Sequence, residues 1–119
     1  MLFRKGLIMS DEFKITLAQL NATVGDLSGN NQKVMEAWEI ARDERSDLIA
    51  FPEMFITGYN PQDLILKNAF QKAATSSIEQ IAAACSQGPA IAIGGPFCDG
   101  DKLYNSCLLY TSDAADDKC

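Results

Sequence analysis

The stretch DLIAFPE, residues 47 to 53, constrains the fold more than any other part of this 119-residue chain. Its middle is a short, nearly all-apolar run, which is typical of a strand covered on both faces by other layers of structure. Pro52 ends the run, because proline lacks the N–H that a sheet ladder requires. The sequence therefore predicts a layered α/β structure, with Glu53 at the carboxyl end of a buried strand.

Other strand patterns flank this run. Phe13, Ile15 and Leu17 alternate with polar residues, which predicts a first strand at about 12 to 20. Farther along, PAIAIGG predicts another buried strand and GPFCDGDK predicts a turn. KLYNS predicts a further strand, which pairs back on the PAIAIGG strand.

Helical periodicity fills the intervals between the strands. Asn31 is predicted to cap a first helix, whose apolar side chains recur at i, i+3, i+4 and i+7. Ser76 and Glu79 have the spacing of a capping box before a second helix, which a following Gly-Pro pair should end. A shorter helix is predicted at Gln62 to Phe70. The order β-α-β-α-β-β is that of a sheet with helices packed on a face.

Composition restricts the classes of partner and site. The chain has 16 acidic and 10 basic residues, a net charge of −6, so neither nucleic acid nor an anionic membrane surface is an expected partner. No apolar window approaches the length of a membrane span. The four cysteines lack CxxC spacing, which favours reduced thiols and a cytoplasmic location. The absence of histidine excludes a Ser-His-Asp or Cys-His arrangement within this sequence and argues against a zinc site.

The two ends do not share the pattern of the middle. Residues 1–8 add nothing to the alternation and Met9 would suit a true start, so we interpret 1–8 as an upstream extension. The string CLLYTSDAADD, which begins at Cys107, resembles the translation of a transposase-type sequencing adapter. Residues 107–119 are therefore interpreted as a non-native tail and 9–106 as the domain part. The alternative is a genuine strand followed by an acidic tail.

Glu53 is the first candidate for chemistry. Apolar neighbours on both sides would partly remove it from water, which strengthens a carboxylate as a general base. The alternative is a structural acid that caps a helix or pairs with an arginine. Tyr59 would either line a pocket beside Glu53 or pack over the end of the strand.

The other candidates are weaker. Cys85 completes an apolar helical stripe and is expected in the core. Cys98 lies beside two acids and no base, a setting that does not activate a thiol. The pair Gly94-Gly95 lacks the Lys and the Ser or Thr of a phosphate loop and is expected to form a turn.

Three stretches resemble one known family. LAQLNATVGDLSGN (17–30), LIAFPEMFITGYNPQDLIL (48–66) and IAIGGP with KLYNS (91–106) are similar to the amino-terminal part of the nitrilase-type glutaminase domain of bacterial glutamine-dependent NAD synthetases. The resemblance spans about residues 12–106. PE after apolar residues is common to carbon-nitrogen hydrolases, whereas the continuation ITGY-x-x-x-DL resembles the synthetase branch.

The resemblance implies a four-layer α-β-β-α sandwich, of which this chain would form an incomplete part, and a Glu-Lys-Cys catalytic set. Glu53 matches the general base that takes the thiol proton; the cysteine attacks the carboxamide of glutamine, and the lysine stabilises the oxyanion. Ammonia would pass to a separate synthetase domain, which uses ATP and magnesium to convert deamido-NAD to NAD. No cofactor is implied for this segment, and the parent protein would be a homo-oligomer. Lys102, Lys118 and Cys119 match no catalytic position, so the chain alone is expected to be inactive.

Two other interpretations stay open. One is another amidase of the same superfamily, of the omega-amidase or carbamoylase type; the other is a non-catalytic α/β interaction module in which Glu53 is structural. The predicted elements are also fewer than a two-sheet sandwich requires, so one sheet face should lack its partner layer and expose apolar surface. We expect the isolated chain to be poorly soluble or loosely packed.

Overall fold

The computed structural model describes residues 2–6 and 12–111. Strands and helices alternate along these ranges as the sequence predicts. Their bounds are β1 Leu2–Gly6, β2 Glu12–Leu17, α1 Leu27–Asp43, β3 Leu48–Ala50, a 3₁₀ helix Gln62–Leu66, α2 Asn68–Ala84, β4 Ala90–Asp99 and β5 Lys102–Tyr110. The proposed start at Met9, and Lys118 and Cys119, lie outside the described residues.

The five strands form one sheet in the order β1-β2-β3-β4-β5. β2, β3 and β4 are parallel, whereas β1 and β5 pair antiparallel at the two edges. Parallel neighbours need a long crossover between them, and α1 and α2 supply it. The register places Ile49 of β3 between Thr16 and Ile91. The predicted α/β fold is confirmed, with the DLIA strand at the centre of the sheet.

Both helices pack on one face of this sheet. Ile49, Ile91 and Ile93 point to that face and are at most 1% exposed. They share one apolar cluster with the buried residues of both helices, among them Val34, Ala37, Trp38 and Ala41 of α1 and Ala74, Ile78 and Ile81 of α2. The α1 stripe is the one that periodicity predicts. Removal of this surface from water, at ~25 cal/mol per Å², is the main force that holds the helices to the sheet.

The opposite face of the sheet, which we call the open face, is also apolar. It carries the other half of the strand alternation: Phe13, Ile15, Leu17, Leu48, Ala50 and Ala92. Phe13 is 42% exposed and Leu17 is 40% exposed. Within residues 12–111, no helix or second sheet covers this face. This arrangement agrees with the expected incomplete sandwich.

Leu17→Lys should raise the soluble fraction of the isolated chain, because it places a charge in an exposed apolar face at no cost to the helix-covered core. Thr16→Lys is the matched control: Thr16 is 2% exposed, and its hydroxyl lies 2.6 Å from Ser46 Oγ. That substitution should lower the soluble fraction, since it buries an unpaired charge. Centrifugation of the two variants and the parent chain measures the effect; a gain in both variants would contradict the assignment of faces.

α1 begins earlier than predicted. Asp26, not Asn31, is its N-cap residue, and the Asp26 carboxylate accepts the N–H of Gly29 at 2.9 Å. Aspartate is preferred there because it satisfies a first-turn N–H and its charge suits the positive end of the helix dipole. Asn31 lies inside the helix, where its Nδ2 donates to Ser77 Oγ at 2.8 Å and joins α1 to α2.

α2 also begins before its predicted start. The helix is continuous from Asn68 to Ala84, so Ser76 and Glu79 lie in its interior and form no capping box. The preceding turn contains Gln, Lys and two alanines, which are strong helix formers. The short helix predicted for residues 62–70 is divided: its first part forms the 3₁₀ helix, and its last part forms the first turn of α2.

The β4–β5 hairpin is longer than predicted. GPFCDGDK is not a turn as a whole, because β4 continues to Asp99 and the reversal needs only Gly100 and Asp101. Each residue from Gly95 to Asp99 has a partner in β5, and this sheet pairing outweighs the turn propensity of their composition. β5 extends to Tyr110, so residues 107–110 pair with β4. The interpretation of the tail as non-native stays a prediction.

The first strands differ from the prediction at their ends. β2 stops at Leu17 rather than at about residue 20, although Ala18 N still donates to Ala50 O at 2.9 Å. Residues 2–6, to which the sequence pattern assigns nothing, pair antiparallel with β2 as β1. The domain boundaries themselves stay predictions. None of the helices in the described ranges has the length and apolar content to cross a membrane.

Candidate functional site

The chain leaves β3 through residues 51–58, which we call the acid loop because it carries Glu53. Residues 54–58 of this loop are buried, and Ile56 and Thr57 are 0% exposed. Thr57 Oγ1 donates to Met54 O at 3.1 Å and ties the loop to itself. The acid loop is therefore part of the core, and Glu53 lies just before the chain enters it.

The acid loop crosses β4 at Gly94, on the open face. A Cβ on Gly94 would lie 2.5 Å from Met54 N and 3.3 Å from the carbonyl carbon of Glu53. Only a residue without a side chain lets the two backbones approach so closely. The turn predicted for Gly94-Gly95 is therefore wrong, and the strand predicted for PAIAIGG is confirmed at both glycines. At Gly94 the missing side chain makes room for the acid loop.

Gly94→Ala should lower the free energy of unfolding by about 1–3 kcal/mol, because the methyl group meets backbone that moves only with the whole loop. Gly95→Ala is the matched control, since its Cβ would meet Ile78 Cδ1 at 2.6 Å, the end of a flexible side chain. Urea denaturation of the two variants checks the difference. A smaller loss for Gly94→Ala than for Gly95→Ala would show that the loop does not rest on β4.

Asn30 of α1 holds the acid loop from beneath. The side chain is 0% exposed. Its Nδ2 donates to Thr23 O at 2.8 Å and to Ile56 O at 3.0 Å, and its Oδ1 accepts Thr23 N at 2.8 Å. Both amide hydrogens and the amide oxygen are thus paired. One helical side chain therefore fixes the acid loop against the segment that leads into α1.

A second set of contacts links the same two segments. Gly25 N donates to Thr57 O at 2.9 Å. A Cβ on Gly58 would lie 2.6 Å from Val24 Cα, so the two backbones are in direct contact. These contacts give a physical role to two of the stretches that carry the family resemblance, TVGDLSGN and ITGY.

Glu53 itself is exposed, so the expected partial burial is wrong. Met54, Phe55 and Ile56 are buried, but they turn into the core and leave the carboxylate outside it. Its Oε2 accepts a hydrogen bond from Asn105 Nδ2. Within the described residues, neither an arginine nor a helix N-terminus holds this carboxylate, which weakens the structural alternative. The catalytic assignment stays a prediction.

Two clefts flank the Glu53 carboxylate. The larger, of about 310 Å³, opens toward the 3₁₀ helix, and Tyr59, Tyr104 and Asn105 line it together with Glu53. Tyr59 is 68% exposed and forms a wall of this cleft rather than packing over the strand end. The structure therefore brings the two predicted site residues together, while a substrate contact by Tyr59 stays a prediction.

The smaller cleft lies on the other side of the carboxylate, over the open face. It has a volume of about 240 Å³, and its lining includes Glu53, Gly94, Asn105 and Cys107. Glu53 and Asn105 are thus shared by both clefts. A proton acceptor at this junction can serve a group on either side.

The remaining cysteine predictions have clear outcomes. Cys85 is buried as predicted. Burial is the main cause that raises the pKa of its thiol to about 11; the negative charge of Glu39 also raises this pKa, and the positive charge of Arg42 partly lowers it. Such a thiol is protonated and inert at neutral pH. Cys98 is exposed, and its Sγ donates to Gln71 Oε1 at 2.9 Å. Neither thiol lines a cleft with Glu53.

Asn30 and Asn105 are the site residues that the sequence interpretation missed. Asn30 lies four residues before Val34, on the buried stripe of α1, and a polar residue on such a stripe is a signal of an internal hydrogen-bond network. Because the helix is predicted to begin after Asn31, Asn30 lies outside the predicted helix. Asn105 offers no local signal, because its partner is 52 residues away in the sequence.

The described residues contain no group of three or more side chains that could hold a metal ion. The carboxylates that magnesium prefers are dispersed over this part of the chain. The assignment of ATP and magnesium to a separate synthetase domain stays a prediction.

Comparison with known proteins places this geometry in a family. Residues 14–116 match the family described as carbon-nitrogen hydrolase. A glutamine-dependent NAD(+) synthetase of Rhodobacter capsulatus is 51% identical over 98 residues, which cover 82% of this chain and 18% of that protein. The chain thus spans about a fifth of the length of the curated relatives it matches.

Solved structures share the fold. A glutamine-dependent NAD(+) synthetase from Cytophaga hutchinsonii superposes with a TM-score of 0.79 at 28% identity, over 84% of this chain and 17% of that one. An amidase from Nesterenkonia sp. superposes with a TM-score of 0.69 at 24% identity, over 82% of this chain and 37% of that one; this second likeness concerns the fold alone. The family match includes both the acid loop and the β4–β5 hairpin that together present Glu53. The chain belongs to the carbon-nitrogen hydrolase family.

Proposed function

We propose that this chain is part of a glutamine-hydrolysing NAD synthetase and contributes the general base of its glutaminase site. The observation that carries the proposal is the position of Glu53, whose carboxylate projects between two clefts from a loop fixed to the core. The Rhodobacter capsulatus relative supports the choice of reaction, because it is a glutamine-dependent synthetase and 51% identical to this chain.

The reaction needs a thiol and a cation besides Glu53, and we assign both to parts of the parent protein outside residues 12–106. Glu53 takes the proton of the cysteine, whose sulfur then bonds to the carboxamide carbon of glutamine, while the lysine stabilises the oxyanion. The C–N bond breaks, and the proton on Glu53 passes to the departing nitrogen, which leaves as ammonia. Water then attacks the thioester with proton removal by the same carboxylate, giving glutamate and restoring the thiol.

The larger cleft suits a small amide substrate. Its volume of about 310 Å³ lies at the lower end of the range for small-molecule pockets. Tyr59 supplies an aromatic wall with a hydroxyl group, and Asn60 and Asn105 add amide groups to the same lining. Such a mixture of one flat apolar surface and a few hydrogen-bonding groups can orient the side chain of glutamine, and we assign Tyr59 to substrate binding.

The other components of the proposed enzyme lie outside this segment. A separate synthetase domain, with ATP and magnesium, would accept the ammonia and amidate deamido-NAD. The parent protein would be a homo-oligomer in the cytoplasm, where cysteines without disulfide spacing stay reduced. No cofactor is assigned to the described residues.

A second candidate function is that of another amidase of the superfamily, of the omega-amidase or carbamoylase type. The match of residues 14–116 to the carbon-nitrogen hydrolase family favours it, since Glu53 would have the same role in both. The coding sequence after Ser106 distinguishes the two, because only the synthetase continues into an ATP-binding domain. A continuation that lacks both the cysteine and the lysine would instead support a non-catalytic α/β module.

A graft tests the proposal directly. Residues 12–106 replace the matching segment of the Rhodobacter capsulatus synthetase, and NAD formation is measured with glutamine and with ammonium chloride as nitrogen donors. We expect both donors to support the reaction. A graft that uses ammonium chloride but not glutamine would refute the assignment, because its synthetase part is then intact and the glutaminase part is not.

The isolated chain should show no glutaminase turnover, because the nucleophile and the cation are supplied from elsewhere. Ammonia release from glutamine is the measurement, with the intact Rhodobacter capsulatus enzyme as the positive control. Clear turnover that disappears in Glu53→Ala would mean that this segment contains a complete site.

A further inference from the structure

We propose that Asn105 is a positioning residue for Glu53: its side-chain amide determines which carboxylate oxygen faces the reacting thiol. This inference rests on the proposed function and adds a residue to that site. Asn105 Nδ2 donates to Glu53 Oε2. With Oε2 so engaged, Oε1 is the oxygen available to accept a proton.

β5 holds Asn105 firmly enough for this role. The strand pairs with β4 through nine successive residue pairs, from Lys102 opposite Asp99 to Tyr110 opposite Ile91. Five of these pairs, from Lys102 opposite Asp99 to Ser106 opposite Gly95, lie within residues 12–106 and so belong to the grafted segment. The ladder therefore fixes the backbone of Asn105 without the residues from 107 onward, which are interpreted as a non-native tail.

Glu53 needs such a partner because its own surroundings do not fix its carboxylate. The backbone of the acid loop is held by Asn30 and rests on Gly94, but the side chain is exposed. A glutamate side chain in solvent samples many rotamers, and fixing it costs conformational entropy. A donor from a rigid strand confines the carboxylate, and misplacement of a reacting group by about 1 Å can cost on the order of 100-fold in rate.

A purely structural role for Asn105, as a tie between the hairpin and the acid loop, predicts a different response to substitution. Asp has the shape of Asn but lacks the donor and places a second negative charge beside Glu53. Gln keeps the amide donor one methylene farther from the strand. A positioning role therefore predicts the order Asn, Gln, Leu, Asp for kcat with glutamine among equally stable variants. A structural tie predicts instead that Leu and Asp, which cannot donate, lower the free energy of unfolding and reduce activity only as far as the folded fraction falls.

The test uses the grafted enzyme. Asn105→Leu and Asn105→Asp should lower kcat for glutamine by about 10- to 100-fold, with KM changed little. Asn105→Gln should lower kcat less. The rate of NAD formation from ammonium chloride should be the same in all three variants. Asn68→Leu, the same exchange at the exposed start of α2, is the matched control. Full activity in Asn105→Asp would overturn the inference. If Glu53→Gln also leaves glutamine use intact, the proposed function fails instead.

A second measurement needs no activity and uses the 119-residue chain with Leu17→Lys, the substitution expected to raise its soluble fraction. The side-chain amide resonances of its asparagines are compared by NMR with and without Glu53→Gln. We expect the resonances of Asn105 to shift and those of Asn21 and Asn68 to stay in place, because only Asn105 donates to the carboxylate. Unchanged Asn105 resonances would overturn the inference whatever the graft shows.

Discussion

Glu53→Gln in the grafted enzyme should lower glutamine-dependent NAD formation by about 100- to 10,000-fold, the range expected for loss of a general base. Gln has nearly the same shape as Glu but does not accept the thiol proton at neutral pH. The ammonia-dependent rate should not change, because it needs only the synthetase part. The measurement is NAD production with each nitrogen donor, at matched concentrations of folded enzyme.

Glu79→Gln provides the control for this prediction. Glu79 is an exposed acid on α2 and lines neither cleft beside Glu53, so both rates should stay at their unmodified values. Equal losses in the two variants would indicate a general effect of removing charge. Glutamine use that survives Glu53→Gln would leave Glu53 a structural acid and would favour the interaction-module interpretation.

Asn30→Ala should open the acid loop. It removes the partners of Thr23 N, Thr23 O and Ile56 O, which lie against a side chain that is 0% exposed. Each buried group left unpaired costs about 1–3 kcal/mol. Amide hydrogen exchange in residues 23–30 and 51–58 should accelerate by about 10- to 100-fold, since each 1.4 kcal/mol is about tenfold. Exchange in β4 should change less, because its ladder is intact.

Asn31→Ala is the control that the chain itself offers. Asn31 is the next residue of α1, and its amide bonds to Ser77 O at 3.1 Å and to Ser77 Oγ at 2.8 Å. Its loss should loosen the contact between the two helices and leave exchange in the acid loop unchanged. The role of Asn30 would be disproved if both variants changed loop exchange to the same extent.

The layered fold could be predicted from sequence because its signals are local. Alternation in β2, an apolar run in β3 and the stripe of α1 each report burial within one element. The ends of the helices were harder to predict. Asp26, Asn31 and Ser76 all have side chains that can cap a helix, and which of them does so depends on how the neighbouring segment packs. The β4–β5 hairpin shows the same limit, since pairing with β5 extended β4 through a turn-like composition.

The candidate site was predictable only in part. Glu53 could be found because it follows a buried strand, a position defined within seven residues. The exposure of Glu53 could not be predicted, because the direction in which Phe55 and Ile56 turn depends on the core beneath them. The contacts of Asn30 and Asn105 join residues 26 and 52 positions apart, and such pairs leave no trace in local periodicity.

The position of β5 at the edge of the sheet also sets an order of events during synthesis. Chains emerge from the amino end, and early segments fold first. The apolar cluster draws all but Leu108 of its buried members from residues 18–93, so the helices can close over β2, β3 and β4 before Asn105 leaves the ribosome. For that interval Glu53 stands on a folded loop without its amide partner. The hydrogen bond from Asn105 to Glu53 therefore forms late, only after β5 has paired with β4 at the edge of the sheet.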